Sequence, residues 1–246
     1  MIWRSIRNLA ALRHDMLYVV ATPIGNLDDL SVRAVSALHA ADLIVAEDTR
    51  VTRILLDRYN IKKDIVSYHQ HSTLRKIDTI IGLLSEGKKL ALVSDAGTPG
   101  INDPGAFLIQ KILEALPNLR IVPIPGANAA TTALSISGFP ADTFTYLGFP
   151  PHKKGRQTFF KEIVLHQETL VFYESKHRMV KALEALKSVS HLGERPIMVA
   201  RELTKQFETI YRGTVEEVAH KLQKDNLLGE FVIVIGPGYK KKYVEE

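Results

Sequence analysis

A short apolar run that breaks abruptly into a loop rich in glycine and proline constrains the fold more than any other feature. Residues 90–93 read Leu-Ala-Leu-Val, which indicates a buried strand of a parallel sheet. The loop that follows contains Gly97, Pro99 and Gly100. Asp103-Pro104 then predicts a helix start, with the carboxylate capping free N–H groups and proline at the first helical position. Strand, loop and helix in this order form half of an α/β ligand site, because ligands lie at the carboxyl ends of parallel strands.

The composition of this loop disfavours a phosphate ligand. Pro99 and Pro104 lack N–H donors, and Asp95 and Asp103 would repel an anion. Neither the Gly-x-Gly-x-x-Gly nor the Gly-x-x-x-x-Gly-Lys-Ser/Thr motif occurs in the chain. Acidic groups suit a ligand with hydroxyls, an amine or a positive charge, and S-adenosylmethionine carries all three. The alternative is that Asp95 only ends the strand and Asp103 only caps the helix.

Three further strand ends in the first half of the chain lead into polar or Gly/Pro loops. The strands are expected at 17–21, 43–46 and 120–124, and their loops at 22–27, 47–50 and 125–128. Because the carboxyl ends of parallel strands meet at one edge of a sheet, the four loops predict a single site. For 47–50, the alternative is a cap for the helix expected around 50–59.

Other helices are expected at about 30–40 and 73–86. Asp28 or Asp29 is expected to cap the first of these two helices. Four further strands are expected in the second half, at 169–173, 196–200, 208–212 and 231–235. The short spacing between 200 and 212 favours a hairpin and hence a mixed sheet. Glycines and prolines cluster at 138–156, which suits a domain junction.

The sequence therefore predicts a two-domain α/β protein. The predicted parts are an N-terminal extension (1–15), an α/β domain (16–137) and a second α/β domain with a mixed sheet (138–246). Strand-end loops of the two domains are expected to face each other across a cleft.

Composition limits the classes of partner. The 246 residues contain no cysteine, so a thiolate nucleophile and a cysteine metal site are excluded. No apolar run reaches the length of about 18 residues that a membrane span needs, and we expect no membrane partner and a cytoplasmic location. The net charge of +5 favours a polyanionic partner, although the excess is spread over both halves. His69 and His71 alone are a weak metal signal, and no metal site is predicted.

The segment His152-Lys-Lys-Gly-Arg156 is compact, basic and flanked by prolines and glycines. One interpretation is a solvated loop. The other is contact with an anionic backbone, which the overall positive charge supports.

Six motifs, taken together, resemble one family. They occur in the order Ala21-Thr-Pro-Ile-Gly-Asn-Leu27, Ala46-Glu-Asp-Thr-Arg50, Ser94-Asp-Ala-Gly-Thr-Pro99 continuing to Gly105, Pro125-Gly-Ala-Asn-Ala-Ala130, Phe172-Tyr-Glu-Ser175 with His177-Arg178, and Ala200-Arg-Glu-Leu-Thr-Lys205. Over about residues 16–236, the chain resembles the tetrapyrrole methylase superfamily, and within it the group that methylates small-subunit ribosomal RNA. It departs from that group at 69–73, where His-x-His-Asn-Glu is common.

The resemblance implies a homodimer that transfers methyl from S-adenosylmethionine, held in the cleft between the domains, to the 2′-hydroxyl of a cytidine in 16S rRNA. It assigns the following residues to the cofactor: Ser94, Asp95, Ala96, Gly97, Thr98, Pro99, Asp103, Gly126, Thr131, Thr132, Tyr173, Leu203 and Glu230. Residues expected to face the acceptor are Ile24, Gly25, Asn26, Glu47, Asp48, Thr49 and Arg50.

A ribose hydroxyl needs a general base, and the sequence leaves Glu47, Asp48 and Glu174 open as candidates. Arg50 or Arg178 is expected to hold a phosphate, and Lys153, Lys154 and Arg156 to contact RNA. Two alternatives remain: a methyltransferase acting on tetrapyrrole precursors, and a non-catalytic RNA-binding ribosome-assembly factor. The second should interleave aromatic with basic residues, which this chain, at 7% aromatic, does not do.

Overall fold

The computed structural model describes residues 16–189, 192, 195–225 and 227–238. The predicted extension at 1–15 lies outside the described residues. The chain divides into two compact units, of which the first runs to residue 127 without 24–26. Residues 24–26 belong to the second unit, together with residue 128 onward. Helix Ala129–Ser137 thus groups with the second unit, whereas the Gly/Pro cluster had suggested a division after residue 137.

The first unit is built on a five-stranded parallel sheet with four helices. The strand order is β3-β2-β4-β1-β5. The strands are β1 (Met16–Val20), β2 (Leu43–Ala46), β3 (Asp64–Ser67), β4 (Lys89–Val93) and β5 (Arg120–Ile124). The helices are α1 (Val32–Ala40), α2 (Thr49–Arg58), α3 (Leu74–Ser85) and α4 (Gly105–Ala115).

Alternate residues of the central strands pack on opposite faces of this sheet. Tyr18 and Val20 join one apolar cluster and Leu17 joins another, and Val93 and Leu92 of β4 divide in the same way. Both faces are covered, as parallel sheets require. The α/β fold predicted from the apolar runs is confirmed.

Two of the predicted helix starts differ in detail. Ser31 caps α1 by accepting from the Ala34 N–H, whereas Asp28 and Asp29 lie in a 3₁₀ turn before it. The prediction of an Asp28 or Asp29 cap is therefore wrong. Pro104 occupies the N-cap of α4 rather than the first helical position, because the helix begins at Gly105.

The second unit contains a five-stranded mixed sheet of order β6-β7-β10-β8-β9. β6 and β7 are parallel, and the other neighbours are antiparallel. The strands are β6 (Phe144–Tyr146), β7 (Thr169–Ser175), β8 (Ile197–Arg201), β9 (Thr209–Gly213) and β10 (Glu230–Ile235). The helices are α5 (Ala129–Ser137), α6 (Arg156–Glu162), α7 (Met179–Ser188) and α8 (Val215–Gln223). The predicted hairpin of β8 and β9 is confirmed.

Among the residues described, no helix is long and apolar enough to cross a membrane.

A buried arginine joins the last strand of the second unit to the segment before β7. Arg195 is 4% exposed, and its guanidinium donates to the carbonyl oxygens of Gly236 (2.7 Å), His166 (2.8 Å) and Glu168 (2.9 Å). Burial lowers its pKa. The buried guanidinium group therefore supplies the hydrogen-bond donors for three carbonyl oxygens.

We predict that Arg195→Met destabilises the protein by about 2–4 kcal/mol, because several buried acceptors lose their donor. Arg212→Met is the matched control, since exposed Arg212 donates to one carbonyl oxygen, that of Ile136. The control should change the free energy of unfolding by about 0.5 kcal/mol or less. Urea unfolding followed by circular dichroism measures both, and equal effects would contradict the assignment.

Candidate active site

The carboxyl ends of β1 and β4 are joined beyond the last strand residues. Thr22 and Gly97 exchange backbone hydrogen bonds of 2.9 and 3.1 Å. The buried Thr22 hydroxyl also donates to the Ser94 carbonyl oxygen at 3.0 Å. The Gly/Pro loop after β4 is therefore held against the loop after β1.

The loop after β5 packs against the same pair. A Cβ atom on Gly126 would lie 3.0 Å from the Ala21 Cβ atom, so the two backbones approach as closely as glycine permits. The Thr98 hydroxyl donates to the Ala127 carbonyl oxygen at 3.2 Å. Three of the four predicted loops thus form one continuous edge.

The loop after β2 joins this edge through a side chain. Asp95 Oδ1 accepts the Asp48 N–H at 2.9 Å. Asp48 in turn caps α2 by accepting from the Arg50 N–H. The prediction that the four strand ends meet at one edge is confirmed, and so is the capping interpretation of Asp48.

Asp103 folds the β4 loop on itself. Its carboxylate accepts the Gly100 N–H at 2.9 and 3.0 Å and the Gly105 N–H at 2.7 Å. Gly97, Gly100 and Asn102 have positive φ angles of 82°, 88° and 64°. The turn leaves Asp95 and Ala96 exposed at the sheet edge, whereas Ser94, Gly97 and Pro99 are buried.

Two adjacent carboxylates at the end of β2 have pKa values displaced in opposite directions. Hydrogen bonds from Arg50 lower the pKa of half-buried Asp48 to about 2. Burial raises the pKa of Glu47, and the negative charges of Asp95 and Asp103 raise it further. Environments that separate two carboxyl pKa values in this way are typical of acid–base sites. Thr49 and Arg50 follow the pair in sequence, and the Arg50 side chain is 87% exposed.

In the second unit, Tyr173 contacts the start of α5. Its hydroxyl oxygen accepts the Ala130 N–H at 3.0 Å. Asn128 caps the helix, and the hydroxyls of Thr131 and Thr132 donate to its carbonyl oxygen at 3.2 and 2.8 Å. The three predicted cofactor residues of this group are therefore neighbours within one unit.

The loop after β8 has unusual backbone geometry that sequence reasoning missed. Glu202 and Thr204 have positive φ angles of 51° and 66°, which are costly for side chains with a Cβ atom and above all for β-branched threonine. A Cβ atom on Gly25 would lie 2.9 Å from Thr204 Oγ1 and 3.2 Å from the Leu203 carbonyl oxygen. The segment 24–26 therefore packs directly on this loop.

Lys205 anchors the same loop to the start of β10. Its ammonium donates to Glu202 Oε1 at 2.8 Å and to Glu230 Oε2 at 3.0 Å. Glu202 also accepts the Glu230 N–H at 2.9 Å. Predicted cofactor residues Leu203 and Glu230 and predicted acceptor residues Ile24, Gly25 and Asn26 are thus brought together.

Glu174, predicted as a candidate base, is a buried ion-pair centre. Its carboxylate contacts Arg156 Nη2 at 2.9 Å and Arg178 Nε at 2.8 Å, and the Ser175 N–H at 2.8 Å. Lys153 and Lys154 lie nearby in sequence and are exposed. Of the five basic residues predicted to contact RNA, the structure brings all but Arg50 to the neighbourhood of β7. These four are Lys153, Lys154, Arg156 and Arg178.

No group of three or more histidine, cysteine, aspartate or glutamate side chains suited to a metal occurs in the part of the chain that the structure describes. His69 and His71 are exposed, with ring centroids 6.3 Å apart.

The family model of the tetrapyrrole (corrin/porphyrin) methylases matches residues 16–219. The chain belongs to this family and is a methyltransferase.

Within the family, similar relatives carry one name, ribosomal RNA small subunit methyltransferase I. The relative from Escherichia coli O157:H7 is 47% identical over 223 residues, which cover 89% of this chain and 77% of that protein. The relative from Thermotoga maritima is 39% identical and covers 89% of this chain and 97% of its own. The relative from Bacillus subtilis is 42% identical, with 94% and 78% covered.

Solved structures with the same fold are more distant in sequence. A uroporphyrin-III-C-methyltransferase from Thermus thermophilus has a TM-score of 0.62 at 19% identity, covering 90% of this chain and 94% of that one. A cobalt-precorrin-4 methyltransferase has a TM-score of 0.63 at 18% identity, with 91% and 95% covered. These likenesses support the predicted two-domain α/β fold.

A pair of glycine substitutions tests the geometry of the β4 loop. A Cβ atom on Gly105 would lie 2.9 Å from the Gly100 nitrogen and 2.7 Å from Asp103 Oδ1, so Gly105→Ala should destabilise by about 1–3 kcal/mol. A Cβ atom on Gly82, inside α3, would meet nothing within 4 Å. Gly82→Ala should therefore stabilise by about 0.5–1 kcal/mol. Thermal unfolding of the two variants should shift in opposite directions; a shared sign would refute the loop geometry.

Proposed function

We propose that this protein transfers methyl from S-adenosylmethionine to the 2′-hydroxyl of a cytidine in 16S rRNA of the small ribosomal subunit. The proposal rests on one edge of the first sheet. There the acidic loop 94–99, which has few N–H donors, lies near Glu47, a carboxylate with a raised pKa. Relatives named small subunit rRNA methyltransferases, at 39–47% identity, support RNA as the acceptor rather than a tetrapyrrole.

For the cofactor, we propose the loop 94–99 with Gly126. Asp95 is exposed at the sheet edge and suits ribose hydroxyls or an ammonium group. The close approach of Gly126 to Ala21 leaves the neighbouring edge free of side-chain bulk. Asp103 acts by shaping the loop, since its oxygens already bind Gly100 and Gly105. The assignment of Thr131, Thr132, Tyr173, Leu203 and Glu230 to the cofactor stays a prediction from the resemblance.

S-adenosylmethionine supplies a methyl group on a sulfonium. When it is bound, the ribose oxygen would form a bond to the methyl carbon as the carbon–sulfur bond breaks, and the electron pair of that bond would stay on sulfur, giving a thioether. The hydroxyl proton must leave, and we propose that Glu47 accepts it. A raised pKa makes Glu47 a better proton acceptor than Asp48, whose carboxylate is occupied by Arg50.

For the RNA, we propose contacts from the segment 24–26, Thr49 and Arg50, and from the exposed lysines 153 and 154. Arg50 combines an exposed guanidinium with a carboxylate partner that fixes it, which suits a phosphate contact. Arg156 and Arg178 are committed to Glu174, so their contribution is indirect.

We also propose that the protein is a homodimer, as the resemblance implies, and that it acts in the cytoplasm, which the relatives named as rRNA methyltransferases support. Light scattering on the purified protein should give twice the monomer mass of 27.5 kDa.

Methyl transfer from labelled S-adenosylmethionine to small subunits that lack the modification tests the proposal. The expected result is label on one ribose 2′-oxygen of a cytidine, mapped by nuclease digestion and mass spectrometry. Label on a base, or transfer to a tetrapyrrole precursor but not to RNA, would overturn the acceptor assignment. Absence of both transfer and cofactor binding would overturn the whole proposal.

Glu47→Gln should lower kcat by about 10²–10⁴-fold, because the general base is lost while the side-chain volume is kept. In the wild type, the rate should rise as pH increases through the raised pKa of Glu47. Cofactor affinity, measured by calorimetry, should stay unchanged. Full activity of Glu47→Gln would remove this residue from the mechanism.

The thermal stability of the protein reports on the charges of Glu47 and Asp48 independently of activity. The pKa of Glu47 is raised on folding, so its ionisation reduces stability as pH rises above its ordinary 4.5. Glu47→Gln should therefore melt at a higher temperature than wild type at pH 7, and the difference should vanish near pH 4. Asp48→Asn is the matched control with the opposite sign at pH 7, because the pKa of Asp48 is lowered on folding.

A further inference from the structure

The Glu174 carboxylate is surrounded by cationic and N–H partners. Its side chain is fully buried, it accepts from Arg156 Nη2 and the Ser175 N–H at 2.9 and 2.8 Å, and it forms an ion pair with Arg178 Nε at 2.8 Å. Two guanidinium groups around one carboxylate satisfy the buried charge and leave a positive excess. This arrangement indicates an anchor rather than a base.

Both arginines also hold the segment 150–156, here called the basic loop. Arg178 Nη1 donates to the Pro150 carbonyl oxygen at 2.9 Å, and Arg156 Nη1 donates to that of Pro151 at 3.4 Å. The Arg156 guanidinium also lies over the Phe160 ring, 5.0 Å from its centroid. The two arginines thus link Glu174 to the carbonyl oxygens of Pro150 and Pro151 in the basic loop.

The tip of the basic loop is a tight turn that presents positive charge to solvent. The Arg156 N–H donates to the Lys153 carbonyl oxygen at 3.3 Å, and Gly155 has a positive φ of 87°. Lys153 and Lys154 are exposed, and neither forms an ion pair with any residue that the structure describes. A loop held in one conformation loses less conformational entropy on binding than a free one.

We propose that Glu174 is a positioning residue that fixes the basic loop so that Lys153 and Lys154 contact the phosphate backbone of RNA. The inference rests on the proposed function and adds how the acceptor is held. RNA is favoured because the loop pairs exposed ammonium groups with half-buried guanidinium groups that reinforce their field. Glu174 acts through the arginines and touches no reacting atom.

The test compares Glu174→Gln, Lys153→Ala/Lys154→Ala and the combined triple variant. Affinity for small subunits is measured against salt concentration, together with kcat and KM for methyl transfer. The lysine pair should reduce the slope of log affinity against log salt by about one per lysine. Glu174→Gln should weaken RNA binding and raise KM, with kcat and cofactor affinity unchanged. The triple variant should bind no more weakly than the lysine pair alone, because both changes remove the same contacts.

Two further variants keep the test decisive. Arg178→Lys retains the charge, but a single ammonium group cannot replace the guanidinium group that joins Glu174 to Pro150. This variant should therefore raise KM, and it keeps the test open if Glu174→Gln fails to fold. Lys62→Ala/Lys88→Ala removes two exposed lysines of the first unit and is matched in charge to the lysine pair. It should leave the kcat, KM and salt slope near the wild-type values.

Each other outcome contradicts the inference in a recognisable way. Additive losses in the triple variant would show that Glu174 and the lysines act independently. A fall in kcat at unchanged KM for Glu174→Gln would make it part of the chemistry. If the wild type methylates RNA and the lysine pair has no effect, only this inference fails. If the wild type neither binds nor methylates RNA, the proposed function fails with it.

Discussion

The parallel pairing of β1 with both β4 and β5 is the constraint on which the candidate site depends. Tyr18 lies opposite Ala91 on one side and Val122 on the other, so the three strands end at one level. The exchange of hydrogen bonds between Thr22 and Gly97 continues this pairing into the loops. The loops after β1 and β4 are therefore joined by backbone hydrogen bonds, and the side chains of Thr22, Thr98 and Asp95 add further links along the edge.

The acidity of this edge has a thermodynamic consequence. Burial and the nearby carboxylates disfavour the ionised form of Glu47, whereas hydrogen bonds from Arg50 favour the ionised form of neighbouring Asp48. A chain optimised only for stability would not retain such a carboxylate, because its ionisation opposes folding at neutral pH. Groups that are kept against stability are commonly those that function requires. The opposed pKa values therefore agree with the role proposed for Glu47 at the end of β2.

Much of the fold was predictable because its signals are local. Strands such as 43–46 and 120–124 are short, mainly apolar runs bounded by polar or Gly/Pro loops. The polar edge strand Asp64–Ser67 lacks that pattern and was missed, as was α6, whose seven residues follow a basic loop. The packing of Gly25 against Thr204 joins residues far apart in sequence, and no local pattern encodes it. Candidate residues could be named from motifs, but their partners could not.

Glu47 and Glu174 show why partners decide chemistry. Both were candidate bases because each is a glutamate at or just beyond the end of an apolar strand, with an arginine three or four residues later. In the structure, Glu47 is surrounded by negative charge, whereas Glu174 is enclosed by two guanidinium groups. The first environment raises the pKa of Glu47, whereas the second commits the Glu174 carboxylate to two ion pairs. The same residue in the same local pattern thus serves as a candidate base in one unit and as an anchor in the other.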